Sequence, residues 1–405
     1  MPQAIEIRRS SPDVWLGRVF GRASSFVLAA AGAFTLTLGV VIESFNSTRV
    51  GAVLVVLLLL HVLRYPRLLF GREALIYTCF FGYMITTLIW TDDRALALNT
   101  LRPAATSIVV LVLFGSLAAY YDTRAILGGL LCGLLTGAAA YTKVTGFPLS
   151  YPSDFSYNAV AGMYLSGLFV ALLSGCYSKS RLIPFMAALV FDALLVATTS
   201  IKFNLGVALG VVAAVLFYYR RFTVVLRRNL VPISIILVAL AVAVASNAEL
   251  MQGLQRGVDR VALGLEVLQA RENVPGYSAF ESRQKWQSDG LKGWLQNPLF
   301  GHGAEAFRDL YGITSHSTPV DVLYNFGLFG FVLFYAVFLS LIWRLKHLDS
   351  ATRPGLPPLV LGMGTCYLFV SLSAPLHYNE FLAMFIATGA AVLSRHAHST
   401  TPEVR

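Results

Sequence analysis

The stretch "LIPFMAALVFDALLVATTSIKFNLGVALGVVAAVLFYY", residues 182–219, decides the fold class. It holds two apolar blocks of about 17 residues joined by a short polar break around Lys202, and each block is long enough to cross a bilayer as a helix. Strands would alternate apolar and polar residues instead of running in solid blocks, so a β-barrel is excluded. The pattern continues along all 405 residues, of which 56% are hydrophobic and only 13% charged. The chain reads as an all-α polytopic membrane protein.

Working outward from that pair gives about twelve spans, centred on residues 26–44, 50–63, 74–90, 103–120, 125–141, 157–176, 183–199, 203–219, 230–247, 318–343, 357–374 and 379–394. The opening "MPQAIEIRRSSPDVWLGRVFGR", residues 1–22, reads as a charged, partly amphipathic cytoplasmic segment that is retained, since it lacks a short apolar core with a cleavage site. With that segment inside, the inner loops hold most of the Lys and Arg, and the positive-inside rule puts both termini in the cytoplasm. The net charge of +10 follows from this topology and implies no nucleic-acid partner.

One outer segment is large. Residues 248–317, between spans 9 and 10, carry mixed charges and two helical patterns. Leu250, Leu254, Val258, Val261, Leu265 and Leu268 recur at spacings of three and four, as on an amphipathic helix. A second helix contains Trp286, Leu291, Trp294 and Leu295 and ends before Pro298. The segment reads as a helical lid within a single domain, 1–405. Cys79, Cys132, Cys176 and Cys366 fall inside apolar blocks, where cysteine packs as a small hydrophobe.

The outer face collects the candidate chemistry. His316 precedes Ser317 and Thr318, which can cap a helix, Pro319, which suits a first turn, and Asp321. It is either an inert helix-start histidine or a base poised at the membrane surface. Lys202 is either snorkelling or binding an anion. Arg283, in "ESRQKW", is either salt-bridged to Glu281 or Asp289 or placed for phosphate oxygens; Arg94, Arg102 and Arg308 are further candidates for that role. "NPLFGHGAEAF", 297–307, turns tightly at Gly-His-Gly, and His302 either aims the lid or serves the site. It lacks the spacing of a phosphate-binding loop. Asp92 and Asp93 are a helix cap or a carboxylate pair for a metal, and the cap reading is preferred, so no metal or other cofactor is expected. Asp192 and Glu380 are intramembrane carboxylates.

Taken in order, these pieces resemble the O-antigen ligase and Wzy-type polymerase superfamily of bacterial inner-membrane glycosyltransferases. "LIWTDDRALALNTLRP", 88–103, resembles that family's tryptophan-ended span with its short outer helix; "SIKFNLG", 200–206, falls where the family usually opens a span with Ser-Arg. "ESRQKWQSDGLKGWLQNPLFGHGAEAF", 281–307, is similar to its arginine-containing helix followed by Pro-Leu-x-Gly-x-Gly. His316 and Ser317, nine residues, then "GLFG" at 327–330 fit the ligase pattern His-[Asn/Ser/Gln]-x9-Gly-x-x-[Gly/Thr/Tyr]. The resemblance covers roughly residues 75–345. Two positions depart from it: Lys202 replaces arginine, and Ser317 replaces the commoner asparagine.

The resemblance implies transfer of a glycan from undecaprenyl diphosphate to a sugar hydroxyl on the periplasmic face of the bacterial inner membrane. It implies His316 as the base, Arg283, Lys202 and Arg308 at the diphosphate, and Ser317, His302 and Trp286 near the sugars, without a cofactor. The acceptor is lipid A core in a ligase and a second lipid-linked glycan in a polymerase. A single large outer loop favours the ligase. A transporter would show repeated halves and paired ionisable groups in mid-membrane, and the polar residues gather on one face instead.

Overall fold

The computed structural model describes residues 12–42, 47–64, 71–147, 157–178, 181–198, 200, 202–218, 251, 255, 259, 277–346, 355–377 and 379–400. Among these the chain is all-helical: α1 (Pro12–Val41), α2 (Ser47–Arg64), α3 (Arg72–Thr87), α4 (Arg94–Tyr120), α5 (Thr123–Thr145), α6 (Tyr157–Tyr177), α7 (Leu182–Ala197), α8 (Lys202–Tyr218), α9 (Tyr277–Trp294), α10 (Ala306–Tyr311), α11 (Thr318–Lys346), α12 (Leu356–Ser371) and α13 (Glu380–Thr400). Five segments are long and apolar enough to cross a membrane: Gly21–Val41, Arg94–Ala118, Thr123–Thr145, Asn158–Tyr177 and Thr318–Leu345. Shorter apolar helices accompany them, and the chain is a polytopic membrane protein. The expected span at 230–247 and all six residues of the repeat from Leu250 to Leu268 lie outside the described residues.

Local chemistry sets several helix ends. Asp93 Oδ1 accepts from the Leu96 amide at 2.9 Å and caps α4, and Asp122 Oδ1 accepts from the Arg124 amide at 2.9 Å at the start of α5. Inside the bundle, small residues set the spacing. Gly129, Gly133 and Gly137, four apart on α5, lie against Phe26, Ala30 and Thr37 of α1 so closely that a Cβ on any of them would strike its neighbour. That small-residue stripe is the packing a bilayer favours, because lipid supplies no hydrophobic drive between helices. Gly210 of α8 meets Gly362 of α12 in the same way.

A break in α11 organises the end of the bundle that carries the 298–303 loop. Gly327 has φ 64 and ψ −168, a conformation open essentially to glycine alone, and it separates a short N-terminal half-helix from a long C-terminal one. The interrupted backbone finds partners in the loop 298–303. The Leu328 and Phe329 amides donate to the Pro298 and Leu299 carbonyls at 2.8 and 3.1 Å, and the His302 and Gly303 amides donate to the Tyr324 and Asn325 carbonyls at 2.9 and 2.8 Å. The Tyr83 hydroxyl of α3 donates to the Phe300 carbonyl at 2.8 Å, and Asn325 Oδ1 accepts from the Phe307 amide at 2.9 Å. Irregular backbone of this kind survives in a membrane protein only when protein groups satisfy it. The two glycine motifs noted in the sequence are thus halves of one device. At the break, Phe80 of α3 packs edge-on against Phe326 at 5.6 Å.

At its opposite end α11 is tied to α3 by charge. Arg344 Nε lies 3.1 Å from Glu73 Oε1, which also accepts from Ser340 Oγ at 2.7 Å, and Arg344 Nη1 donates to the Ala390 carbonyl of α13 at 3.0 Å. Glu73 is 2% exposed.

Candidate active site

His316 lies just outside α11, in a turn with φ 58, a left-handed backbone that few non-glycine residues adopt. Three neighbours hold the turn. Asp321 Oδ1 accepts from the Ser315 amide at 2.8 Å, Ser315 Oγ donates to the Ser317 carbonyl at 3.0 Å, and the Ser317 amide donates back to Ser315 Oγ at 3.2 Å. Asp321, Ser315 and Ser317 are buried while the His316 ring is half-buried. A clasp of buried polar groups therefore presents one imidazole. The sequence placed Asp321 in the first helical turn without its side-chain role.

Thr318 was expected to cap α11, and its hydroxyl is used elsewhere. It donates to the Ala374 carbonyl and accepts from the Leu376 amide at 2.7 Å, both in the turn between α12 and α13. Lys202, the first residue of α8, donates through Nζ to the Ser373 carbonyl at 2.9 Å in the same turn. One turn thus fastens the start of the His316 helix and the Lys202 ammonium together. Nothing local in the sequence joins residues so far apart.

Arg283 reaches the same place from α9. Its guanidinium is exposed and makes no ion pair among the described residues, because Asp289 instead faces Lys292 at 3.8 Å. The Arg283 and Lys202 charges repel one another and both act on His316. Burial of the His316 ring, then the Arg283 guanidinium, then the Lys202 ammonium push its pKa below the usual value of about 6.5. The imidazole is therefore neutral at pH 7 and able to accept a proton. Trp286, one helical turn after Arg283, sets its ring 5.8 Å from the imidazole at 39°.

The remaining candidates fall elsewhere. Arg308 is half-exposed and sits 3.7 Å from Glu305, beyond hydrogen-bond length, and it is not among the charges acting on His316. His302 donates from Nε2 to the Gly293 carbonyl at 2.9 Å, receives Asn297 Nδ2 on Nδ1 at 3.1 Å, and stacks on Tyr324 at 4.5 Å. With both nitrogens occupied it has no acceptor for a substrate proton and works as the hub of its loop. Asp93 is the cap described above. Asp192 is half-buried in α7 and Glu380 opens α13.

Residues 184–335 match the family model described as O-antigen ligase. The matched stretch contains Lys202, Arg283, Trp286, His302, His316, Ser317 and the Gly327 break, so the likeness to the O-antigen ligase and Wzy superfamily read from the motifs is shown where the site is built. No curated protein matches the chain. The turn at Ser373–Leu376, which anchors both Lys202 and Thr318, lies beyond the matched stretch.

Proposed function

We propose that the protein transfers a glycan from undecaprenyl diphosphate to a sugar hydroxyl at the periplasmic surface of the bacterial inner membrane, most simply as an O-antigen ligase whose acceptor is lipid A core. The observation that carries this reading is the meeting of one neutral imidazole with two cations, Arg283 and Lys202, brought by three separate helices. In this reading the chain crosses the membrane twelve times with both termini inside, and residues 248–317 form the lid over the site.

The chemistry follows from the charges. The acceptor oxygen attacks the anomeric carbon as its proton passes to His316. The bond from that carbon to the diphosphate oxygen breaks, and the electron pair leaves with the lipid diphosphate. Arg283 and Lys202 stabilise the charge that grows there, a role a fixed pair of cations fills without a metal. Lysine binds phosphate as a point charge where arginine would make a fork, so Arg283 supplies the directed contact. A single displacement with no protein nucleophile inverts the anomeric centre. Membrane lipids surround the polyprenyl tail.

The test uses purified protein in a bilayer, a lipid-linked donor, and either lipid A core or a second lipid-linked unit as acceptor. Extension of lipid A core with inverted linkage, undiminished by a strong chelator and lost in His316→Ala, is expected. Extension of the second lipid-linked unit alone would make the protein a repeat-unit polymerase using the same residues. Transfer that persists in His316→Ala would remove the base from the scheme.

A further inference from the structure

A second concavity lies on the outer face, apart from Arg283, Lys202 and His316. It has a volume of about 950 Å³ and is lined by Trp90, Asp92, Asn297, His302, Asp309 and Tyr324 among others. Its size is at the upper end of what ligand sites enclose. The lining combines two kinds of surface: flat aromatic faces, with Trp90 40% exposed, and two exposed carboxylates, Asp92 and Asp309, which have no ion pair among the described residues. A tryptophan that merely anchored the chain at the lipid interface would need neither a cleft of this size nor carboxylates around it.

We infer that this cleft binds a run of uncharged sugar units. Pyranose rings offer C–H faces that lie on aromatic rings, and hydroxyls that donate to carboxylate oxygens in charge-assisted hydrogen bonds. Asn297 is held by its amide nitrogen on His302, and its side-chain Oδ1 can accept from a further hydroxyl. The same two carboxylates repel phosphate, so the diphosphate is confined to the Arg283 and Lys202 side and the glycan extends to the carboxylate side.

The two sites are joined along α9. Trp286 lies against His316, while Gly293 packs on the Tyr324 ring and accepts from His302, both of which line the cleft. Seven residues of helix separate these contacts, about 10 Å, a distance that a short run of sugar units spans. As a subsite the cleft rests on the glycan-transfer reading, but its sugar binding can be measured without any transfer.

Saturation-transfer NMR on the purified full chain in nanodiscs, with a panel of neutral oligosaccharides and the same sugars bearing a phosphate, tests the inference. At least one neutral sugar should receive saturation while its phosphorylated form does not, and Trp90→Ala should abolish the signal. Asp309→Asn should let the phosphorylated sugar bind. Because Trp90 and Asp309 are exposed, an unchanged melting temperature checks that each variant is folded. The inference is overturned by an absence of neutral binding across the panel, by a signal that survives Trp90→Ala, or by equal binding of the phosphorylated sugars. Neutral binding in a protein that transfers no glycan would leave the cleft standing and sink the transferase reading instead.

Discussion

Replacing Gly327 with alanine isolates the device that joins the two glycine motifs. At φ 64 and ψ −168 a side chain costs about 1–3 kcal/mol from backbone strain alone. Space is the second cost, because the added Cβ would meet the Leu299 carbonyl and the Gly301 amide nitrogen, which are backbone atoms and cannot swing aside. Relief requires the loop 298–303 to withdraw, which puts at risk the amide bonds at Leu328, Phe329, His302 and Gly303. Each is worth about 0.5–1.5 kcal/mol net, so losing even two brings the total to about 2–6 kcal/mol. Gly312 is the control. Its φ of 71 is similar, nothing lies within 4 Å of its added Cβ, and Gly312→Ala should cost only about 1–2 kcal/mol. The assay is unfolding in detergent followed by tryptophan fluorescence, with limited proteolysis of residues 295–304 to detect loop release. Equal destabilisation of the two variants, with the loop still protected, would refute the claim that the loop depends on the break.

Further outcomes follow from the site and its frame. Because both cations hold the His316 pKa down, Arg283→Gln should let it rise toward 6.5 and move the acid limb of the kcat/KM profile to higher pH; an unmoved limb would show that Arg283 does not face the ring. Asp321→Ala should free the His316 turn and lower kcat about 100-fold with KM little changed, whereas a normal kcat would make the clasp dispensable. Glu73→Gln should remove the charge partner of Arg344 while its bond to the Ala390 carbonyl remains, and destabilise the protein by about 1–3 kcal/mol, read as a lower melting temperature; an unchanged one would mean that the ion pair adds nothing to stability.

The parts of the site differ in how visible they are along the chain. His316 stood out because a polar loop runs into an apolar block there, and Arg283 because its guanidinium suits phosphate oxygens. Gly301, Gly303 and Gly327 were visible as turn or bend signals, but their pairing was not, since it depends on backbone atoms that every residue type carries. The same limit hid the Ser373–Leu376 turn, whose contribution is two carbonyls and an amide. Asp321 read as an ordinary first-turn acid because a carboxylate there suits any helix N-terminus. The sequence did not show that Arg308 lies 3.7 Å from Glu305 or that His302 bonds within its own loop, since both contacts depend on how the 297–308 segment folds.

Solid apolar blocks of near-bilayer length determined, from sequence alone, that this protein is a helical membrane protein, because a buried backbone in lipid can satisfy itself only within a helix or a closed barrel. Residue chemistry likewise singled out His316 as a candidate base and a set of cations as its candidate partners. Which of those cations reach the base was decided by tertiary structure. α8, α9 and α11 arrive from distant parts of the chain, and the hydrogen bonds and glycine contacts that align them place Lys202 and Arg283 beside His316 and leave Arg308 with Glu305.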